Sequence, residues 1–486
     1  MFVLRKEKYM FNQERQEMIK EWLDRWFLLG ELISTDCYKR TMWSSDEDLS
    51  NQRASYALFV RKNKLEEHPT EQLVMAGHEW ILRQWFGRPL QRQKIEMAIK
   101  WYSEGSNVKK FPVKAFQKVL DETRGNEILL PINVWGLPGG QTFLPGIPVA
   151  VFEGPGALVS YLESHMCRYF SSIIHATKSR ILTEIVGNRW SEFGYRSDFS
   201  DISSITKLLS IYIGHGGGPV NTSCDLAEFM FPEMFKAGGT VGHEIMVSKQ
   251  KPGTPLGKSE LEIMELLAER HESICFPTDT VSNYIGMSNA MSVMKKYPNK
   301  NITDRIDSGN RLKIAILNFE LLEKNGLFPR GQVIAGDLTS KSVREINNYF
   351  TNSDQLQKRD LLTYGLGGYF WINNHRDTLS MAYKRTSTQN RPNMKLSEPG
   401  KGNLPGQLSV GEKDGKLISY TIHNNNIPKD VNRLFVPLVI NGEIVYDEDM
   451  KFDAQADRTK RTWGKNTSVE IDPYLQKLIS DMEGKL

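Results

Sequence analysis

Cysteine is scarce in this 486-residue chain. Cys37, Cys167, Cys224 and Cys275 stand far apart and form no Cys-x-x-Cys pair. That argues against a disulfide framework and against the usual zinc-ligand spacings, and it fits a reducing cytoplasm. No apolar run approaches the ~18 residues of a membrane span. Residues 1–15 are charged and lack the apolar core of a secretory signal. Neither sign of charge dominates: 62 basic residues face 58 acidic ones, a net charge of +4. With no block of like charge, neither a nucleic-acid nor a membrane partner is expected. Low-complexity tracts are absent too. The composition that remains, 40% hydrophobic and 25% charged, is that of a globular protein long enough for two or three domains.

Three textures follow one another along the chain. Residues 12–34 show helical spacing with an apolar stripe through Ile19, Trp22, Leu23, Trp26, Phe27 and Leu29. Residues 55–60 and 131–135 read as strands, and a Pro/Gly-rich stretch from 136 to 156 frames a short strand at 148–152. Residues 1–156 are therefore expected to form a mixed α+β domain. A helix over 157–180 then opens a repeating region. Strands are expected ending in Glu192-Phe193-Gly194-Tyr195-Arg196, and at 210–214, 273–276, 302–305, 332–335 and 361–364, with helices at 284–297, 312–325 and 342–350. Polar turns at Asp279, Asp307, Gly336 and Gly365 recur every 28 or 29 residues. Strand, polar turn and helix at that period mark parallel βα units. An open doubly wound sheet uses few of its turns for a site, whereas a βα barrel gathers them all on one rim. The number of polar turns favours an irregular α/β barrel over 157–380. Residues 381–486 return to alternating strands at 416–422 and 434–446, with Asn441-Gly442 as a hairpin turn, and end in a helix at 473–482. This segment is expected to pack back on the first domain.

The run Gly238-Gly239-Thr240-Val241-Gly242-His243-Glu244 presents free backbone amides and one histidine. Phosphate chemistry needs both N–H groups for the oxygens and a side chain that carries charge. Read singly, His243 also suits a hydrogen-bonded structural histidine, Asp307 a helix cap, Phe193 and Tyr38 packing aromatics, and the glycines at 365–368 a tight barrel corner. His215, within Gly214-His215-Gly216-Gly217-Gly218, reads as a loop residue.

Taken in order, the motifs resemble the nicotinate and nicotinamide phosphoribosyltransferases, the type II phosphoribosyltransferases. The resemblance runs over roughly residues 33–446. It begins with Thr35-Asp36-Cys37-Tyr38-Lys39 and passes through Phe59-Val60-Arg61-Lys62-Asn63 and Phe193-Gly194-Tyr195-Arg196. It continues with Asn221-Thr222-Ser223, Gly239-Thr240-Val241-Gly242-His243-Glu244 and Arg305-Ile306-Asp307-Ser308-Gly309-Asn310. Gly336-Asp337, Gly365-Leu366-Gly367-Gly368, Met394-Lys395-Leu396-Ser397 and Leu404-Pro405-Gly406 complete it.

The resemblance implies transfer of ribose 5-phosphate from phosphoribosyl pyrophosphate to the ring nitrogen of a pyridine, releasing pyrophosphate. Phe193 would stack on the ring, with Tyr38 of a second subunit on the other face and Asp36 beside it, so that a homodimer carries composite sites. Arg196 would fork onto the ring's carboxylate or carboxamide. Arg305, Ser308, Gly309, Gly336, Asp337, Gly367 and Gly368 would receive the phosphates. Mg²⁺ near Asp279 or Asp307 would neutralise the leaving pyrophosphate. His243 would be phosphorylated by ATP and oriented by Asp279, which places both in the catalytic set with Asp307. The site is thus expected to take small-molecule substrates in NAD salvage.

The ring substituent is read from single positions. Asn310 ends a run that nicotinate enzymes usually close with aspartate, Gly368 stands where they often show threonine, and the loop at Gly139-Gly140 lacks a glutamate often found before that glycine. All three lean to nicotinamide. Ser223 stands where nicotinamide enzymes carry an aspartate that would repel a carboxylate. The motifs at 394–397 and 404–406 also resemble those of nicotinate enzymes, and the balance favours nicotinate. A nicotinamide enzyme, or a binding protein of the same fold without turnover, are the alternatives.

Overall fold

The computed structural model describes residues 32, 34–42, 47–65, 71–104, 113–353, 355–372, 375–396, 402–445 and 450–484. The helix expected at 12–34 therefore lies almost wholly outside the described residues.

Two sheets of seven strands organise the chain. One is antiparallel throughout and joins both ends of the sequence. Ala382–Thr388 and Ile147–Pro155 flank Arg53–Val60, and Asn133–Gly136 links Ile147–Pro155 to Val436–Ile440. The strand expected at 148–152 is longer than its turn-rich flanks suggest, because eight of its nine residues are buried between neighbours on both sides. Val436–Ile440 turns at Asn441 (φ 50°) and Gly442 (φ 83°) into Glu443–Ile444, the hairpin read from Asn-Gly. A smaller sheet of Leu408–Lys413, Lys416–Thr421 and their neighbours carries the terminal helix Pro473–Glu483.

The other large sheet is all parallel. Its strands, numbered along the chain, are β1 (Trp190–Glu192), β2 (Val220–Thr222), β3 (Phe235–Ala237), β4 (Ser273–Pro277), β5 (Asn301–Ile306), β6 (Gln332–Ile334) and β7 (Leu362–Leu366). Their spatial order is β3-β2-β1-β7-β6-β5-β4. The sheet curls into an irregular βα barrel. Its two outer strands, β3 and β4, share no strand pairing, but Val241 N–H donates to Cys275 C=O (2.9 Å) across the opening. The helices Asn283–Lys296, Arg311–Lys324 and Ser340–Asn352 follow β4, β5 and β6 and bury Met287, Phe319 and Phe350 beneath the sheet.

Two expectations change. Residues 210–214 were expected as a strand because Ser-Ile-Tyr-Ile-Gly is β-branched and aromatic; they lie inside the helix Asp201–His215. A reciprocal Ser200–Ser203 cap starts that helix. Ile205, Leu208, Leu209 and Tyr212 fall at helical spacing and are buried. Gly214 then lets the helix approach Tyr169–Val186 so closely that a Cβ there would lie 1.8 Å from the Ala176 carbonyl oxygen. The helix expected over 157–180 is broken into Gly156–Tyr161, Glu163–Met166 and Tyr169–Val186.

Candidate active site

Asp279, Asp307 and Gly336 follow the C-terminal ends of β4, β5 and β6, and Gly365 lies in the last turn-side residues of the adjacent β7, with Gly367 and Gly368 just beyond it, so the four positions share one rim. His243 opens the short helix His243–Met246 in the segment after β3. Its Nε2 lies 2.8 Å from Asp279 Oδ1, just beyond β4. Its Nδ1 lies 3.1 Å from Arg305 Nη2, on β5. A guanidinium only donates, so Nδ1 is the acceptor and Nε2–H is the donor to Asp279. The imidazole is fixed as the neutral tautomer with its lone pair on Nδ1. Burial alone would raise the Asp279 carboxyl. Hydrogen bonds from Ser308 and His243 outweigh that and hold its pKa below the ordinary value. The acceptor is therefore anionic at neutral pH.

Arg305 is held from several directions. It donates to Thr240 Oγ1 and to Val241 C=O (3.2 Å), and it pairs with Asp307 Oδ2 at 3.3 Å. Asp307 does not cap the following helix; Asn310 does, its Oδ1 accepting from Lys313 N–H at 3.1 Å. The cap leaves Asp307 to Arg305. Arg311 binds two turns together, donating to Ala335 C=O (2.9 Å), Asp307 C=O (3.1 Å) and Gly309 C=O (3.3 Å). Gly336 has φ 92°, and a Cβ there would strike Arg311 and the Asp307 carbonyl at 2.3 and 2.4 Å. Only glycine fits. Ser308, Gly309 (φ 78°) and Asp337 are exposed on the same rim, with Gly367 and Gly368 half-buried beside them.

Phe193 follows β1, and its N–H donates to Leu366 C=O at 2.8 Å. Its ring lies directly over Gly365, where a Cβ would come within 2.5 Å of Cδ2 and Cε2. Arg196 stands exposed in the short helix Tyr195–Ser197. Ser223 is exposed at the end of β2, and its N–H donates to Glu192 C=O (2.8 Å). An aromatic face, an arginine and a serine thus border one stretch of rim, with His243 and the glycine-bearing polar turns on the other strands.

No protein-family model matches the chain, and no curated protein matches it in sequence. Solved structures do. Human nicotinic acid phosphoribosyltransferase aligns with a TM-score of 0.65 at 16% identity, over 92% of this chain and 99% of that one. Nicotinate-nucleotide pyrophosphorylase from Pyrococcus furiosus aligns at 0.62 and 17% identity, over 95% and 97%. The chain has the type II phosphoribosyltransferase fold.

Within this phosphoribosyltransferase fold, Tyr38 and Asp36 lie apart from the barrel rim. They belong to the segment around the helix Cys37–Met42, where Tyr38 Oη donates to Glu163 (2.7 Å) and Asp36 N–H to Ser164 Oγ (3.2 Å). Tyr38 remains 49% exposed. His215, set aside as a loop residue, is buried; its Nδ1 meets Gly217 C=O at 2.9 Å and its ring packs on Trp190. Several rim-organising residues carry no local sequence signal: Arg311, and the Glu192, Asp198 and Lys207 side chains. A Cys/His/Asp/Glu cluster of three or more able to hold a metal is absent among the described residues. No helix among them is long and apolar enough to cross a membrane.

Proposed function

We propose that the protein is a nicotinate phosphoribosyltransferase of NAD salvage, transferring ribose 5-phosphate from phosphoribosyl pyrophosphate to nicotinate with release of pyrophosphate, and coupling the transfer to ATP hydrolysis. The observation that carries the reading is His243 held between an anionic Asp279 and the Arg305 guanidinium at the rim of a parallel barrel. The pyridine nitrogen already holds its lone pair, so attack on C1 of the ribose needs no general base. Positioning and charge carry most of the barrier. Phe193 supplies a stacking face, and Tyr38 of a second copy supplies the other, which makes the working unit a homodimer. Arg196 forks onto the carboxylate. Ser223 offers no charge against it, and this favours nicotinate over nicotinamide.

For coupling, Nδ1 of His243 is the nucleophile towards the γ-phosphorus of ATP. The N–P bond forms as the bond to ADP breaks. Nε2–H stays on Asp279, which stabilises the ring as its charge rises. Arg305, already beside Nδ1, accompanies the incoming phosphate. Ser308, Gly309, Gly336, Asp337, Gly367 and Gly368 receive the phosphoribosyl and pyrophosphate oxygens. Asp279 is committed to His243 and Asp307 pairs with Arg305 through Oδ2; of the two, Asp307 is the more open to solvent and is the one that would meet Mg²⁺. That fits an ion with few protein ligands whose remaining positions are filled by substrate oxygens and water. Bound there, it would neutralise charge on the departing pyrophosphate.

The test is steady-state turnover with phosphoribosyl pyrophosphate, Mg²⁺ and ATP, nicotinate against nicotinamide. Preference for nicotinate supports the reading, preference for nicotinamide replaces its substrate, and turnover of neither removes it. Labelled ATP should mark wild type and leave His243→Ala unmarked; an unlabelled wild type removes the phosphohistidine.

A further inference from the structure

Behind the Phe193–Arg196 stretch lies a buried ionic network that the chemistry above does not use. Lys207 sits two turns into the helix Asp201–His215 with its side chain only 2% exposed. Its ammonium reaches back to Glu192 Oε1 (2.7 Å) and Asp198 Oδ2 (2.7 Å), whose side chains are 0% and 8% exposed. Glu192 is the last residue of β1, and Asp198 closes the loop that β1 feeds. The six residues between strand end and loop end, Phe193 to Asp198, are thus pinned at both ends by one cation.

The carboxylates reach further. Glu192 Oε1 also accepts from Gly194 N–H (2.6 Å), and Oε2 accepts from Thr222 Oγ1 (2.9 Å) on β2. Ser223, next along, donates its own N–H to the Glu192 carbonyl. Asp198 accepts in addition from Ser204 Oγ (2.6 Å). Packing closes the remaining freedom. A Cβ on Gly194 would meet Glu192 Oε1 at 2.7 Å, and one on Gly368 would meet Ser197 Oγ at 2.2 Å. Phe193, Arg196 and Ser223 therefore hold their mutual geometry through Glu192, Asp198 and Lys207.

Burying a charged triad is expensive and adds little to stability compared with apolar packing. What it does supply is a unique geometry, because each group has fixed partners. We propose that Lys207, with Glu192 and Asp198, is the positioning device of the pyridine site: it sets the loop that presents Phe193 and Arg196 and registers it against Ser223. The proposal rests on the pyridine-binding role given to those three residues above.

Two measurements on the full-length protein test it. The decisive variant is Asp198→Ala, which frees the loop's end and leaves the Lys207–Glu192 pair intact, so no charge is orphaned. Hydrogen exchange at the amides of residues 194–199 should accelerate about tenfold with the rest of the barrel unchanged. The KM for nicotinate should rise about tenfold while that for phosphoribosyl pyrophosphate stays within about twofold. Asp198→Asn, which keeps an acceptor for Ser204 and Lys207, should recover most of both effects. Lys207→Met should behave as a harsher Asp198→Ala; should it fail to fold, Asp198→Ala still decides. Unchanged exchange in the loop overturns the proposal, as does an equal rise in both KM values. If wild type consumes no pyridine, the functional reading falls, and the exchange result alone upholds or overturns the positioning device.

Discussion

Gly365 offers the sharpest test of the pyridine site, because a single methyl group there is aimed at one ring. The Cβ of Gly365→Ala would lie 2.5 Å from two carbons of Phe193. Carbon atoms settle at about 3.5–4.0 Å, so one partner must withdraw by about 1 Å. Gly365 cannot be the one to move. It pairs with Ser191 inside the barrel wall, and its neighbours Tyr364 and Leu366 are paired as well. The Phe193 ring must shift instead. A displacement of that size in a substrate-positioning group costs about 100-fold, or about 2.7 kcal/mol in kcat/KM. The assay is initial-rate kinetics at varied nicotinate and saturating phosphoribosyl pyrophosphate, for Gly365→Ala, Phe193→Ala and the double variant. Gly365→Ala should lose about two orders of magnitude. In the Phe193→Ala background the added methyl meets no ring and should cost nothing further. A Gly365→Ala enzyme within twofold of wild type would refute the reasoning, as would full additivity of the two losses.

Other expectations follow from single contacts. Ser223→Asp should shift the ratio of kcat/KM from nicotinate towards nicotinamide by about tenfold or more, since a like charge is set against the carboxylate; an unchanged ratio removes Ser223 from the specificity argument. Asp304, within β5, is fully buried with Oδ2 on Asn318 Nδ2 (2.9 Å) and Oδ1 unpartnered, and burial pushes its pKa from 3.8 to about 7. A raised carboxyl means the folded state binds the extra proton, so its contribution to stability falls as pH rises from about 4 through about 7 and is level above that. Asp304→Asn should flatten that slope, which amounts to at most about 4 kcal/mol; urea titrations across pH would show it. Gly214→Ala should destabilise by about 1–3 kcal/mol, because two helices must part to admit the methyl. A melting temperature equal to wild type would contradict that.

The barrel was legible because its signals are local and repeated. Each of the turns at Asp279, Asp307, Gly336 and Gly365 needs small or polar residues at its own position, and four in register expose the period. The Asn441-Gly442 hairpin was legible for the same reason. Residues 210–214 misled because β-branched and aromatic side chains suit a strand, whereas the cap at Ser200 and the apolar stripe of the whole helix decide the matter over a longer span. In the site, His243 and Phe193 stood out through glycine-bearing surroundings, and Asp279 through the period of the turns. Lys207 and Arg311 did not, because their roles depend on which distant atoms the fold brings to them. A lysine mid-helix reads as a solvated residue until Glu192, fifteen positions earlier, is found beneath it. The pairing of His243 with Arg305 in particular, 62 residues apart, is written in barrel closure and not in any motif.

The opening between β3 and β4 gives the fold an economy of parts. A barrel wall would ordinarily need another strand there. Here the segment from Gly238 to His243 runs through the gap and ties itself to β4 by the Val241–Cys275 hydrogen bond. The piece of chain that seals the seam is the same piece that carries the histidine, two residues further on. Sealing and arming are consequently one event. An excursion that frees Val241 from Cys275 unzips the wall and withdraws the imidazole from Asp279 and Arg305 in the same movement. Closing the seam and carrying the histidine thus fall to one stretch of chain.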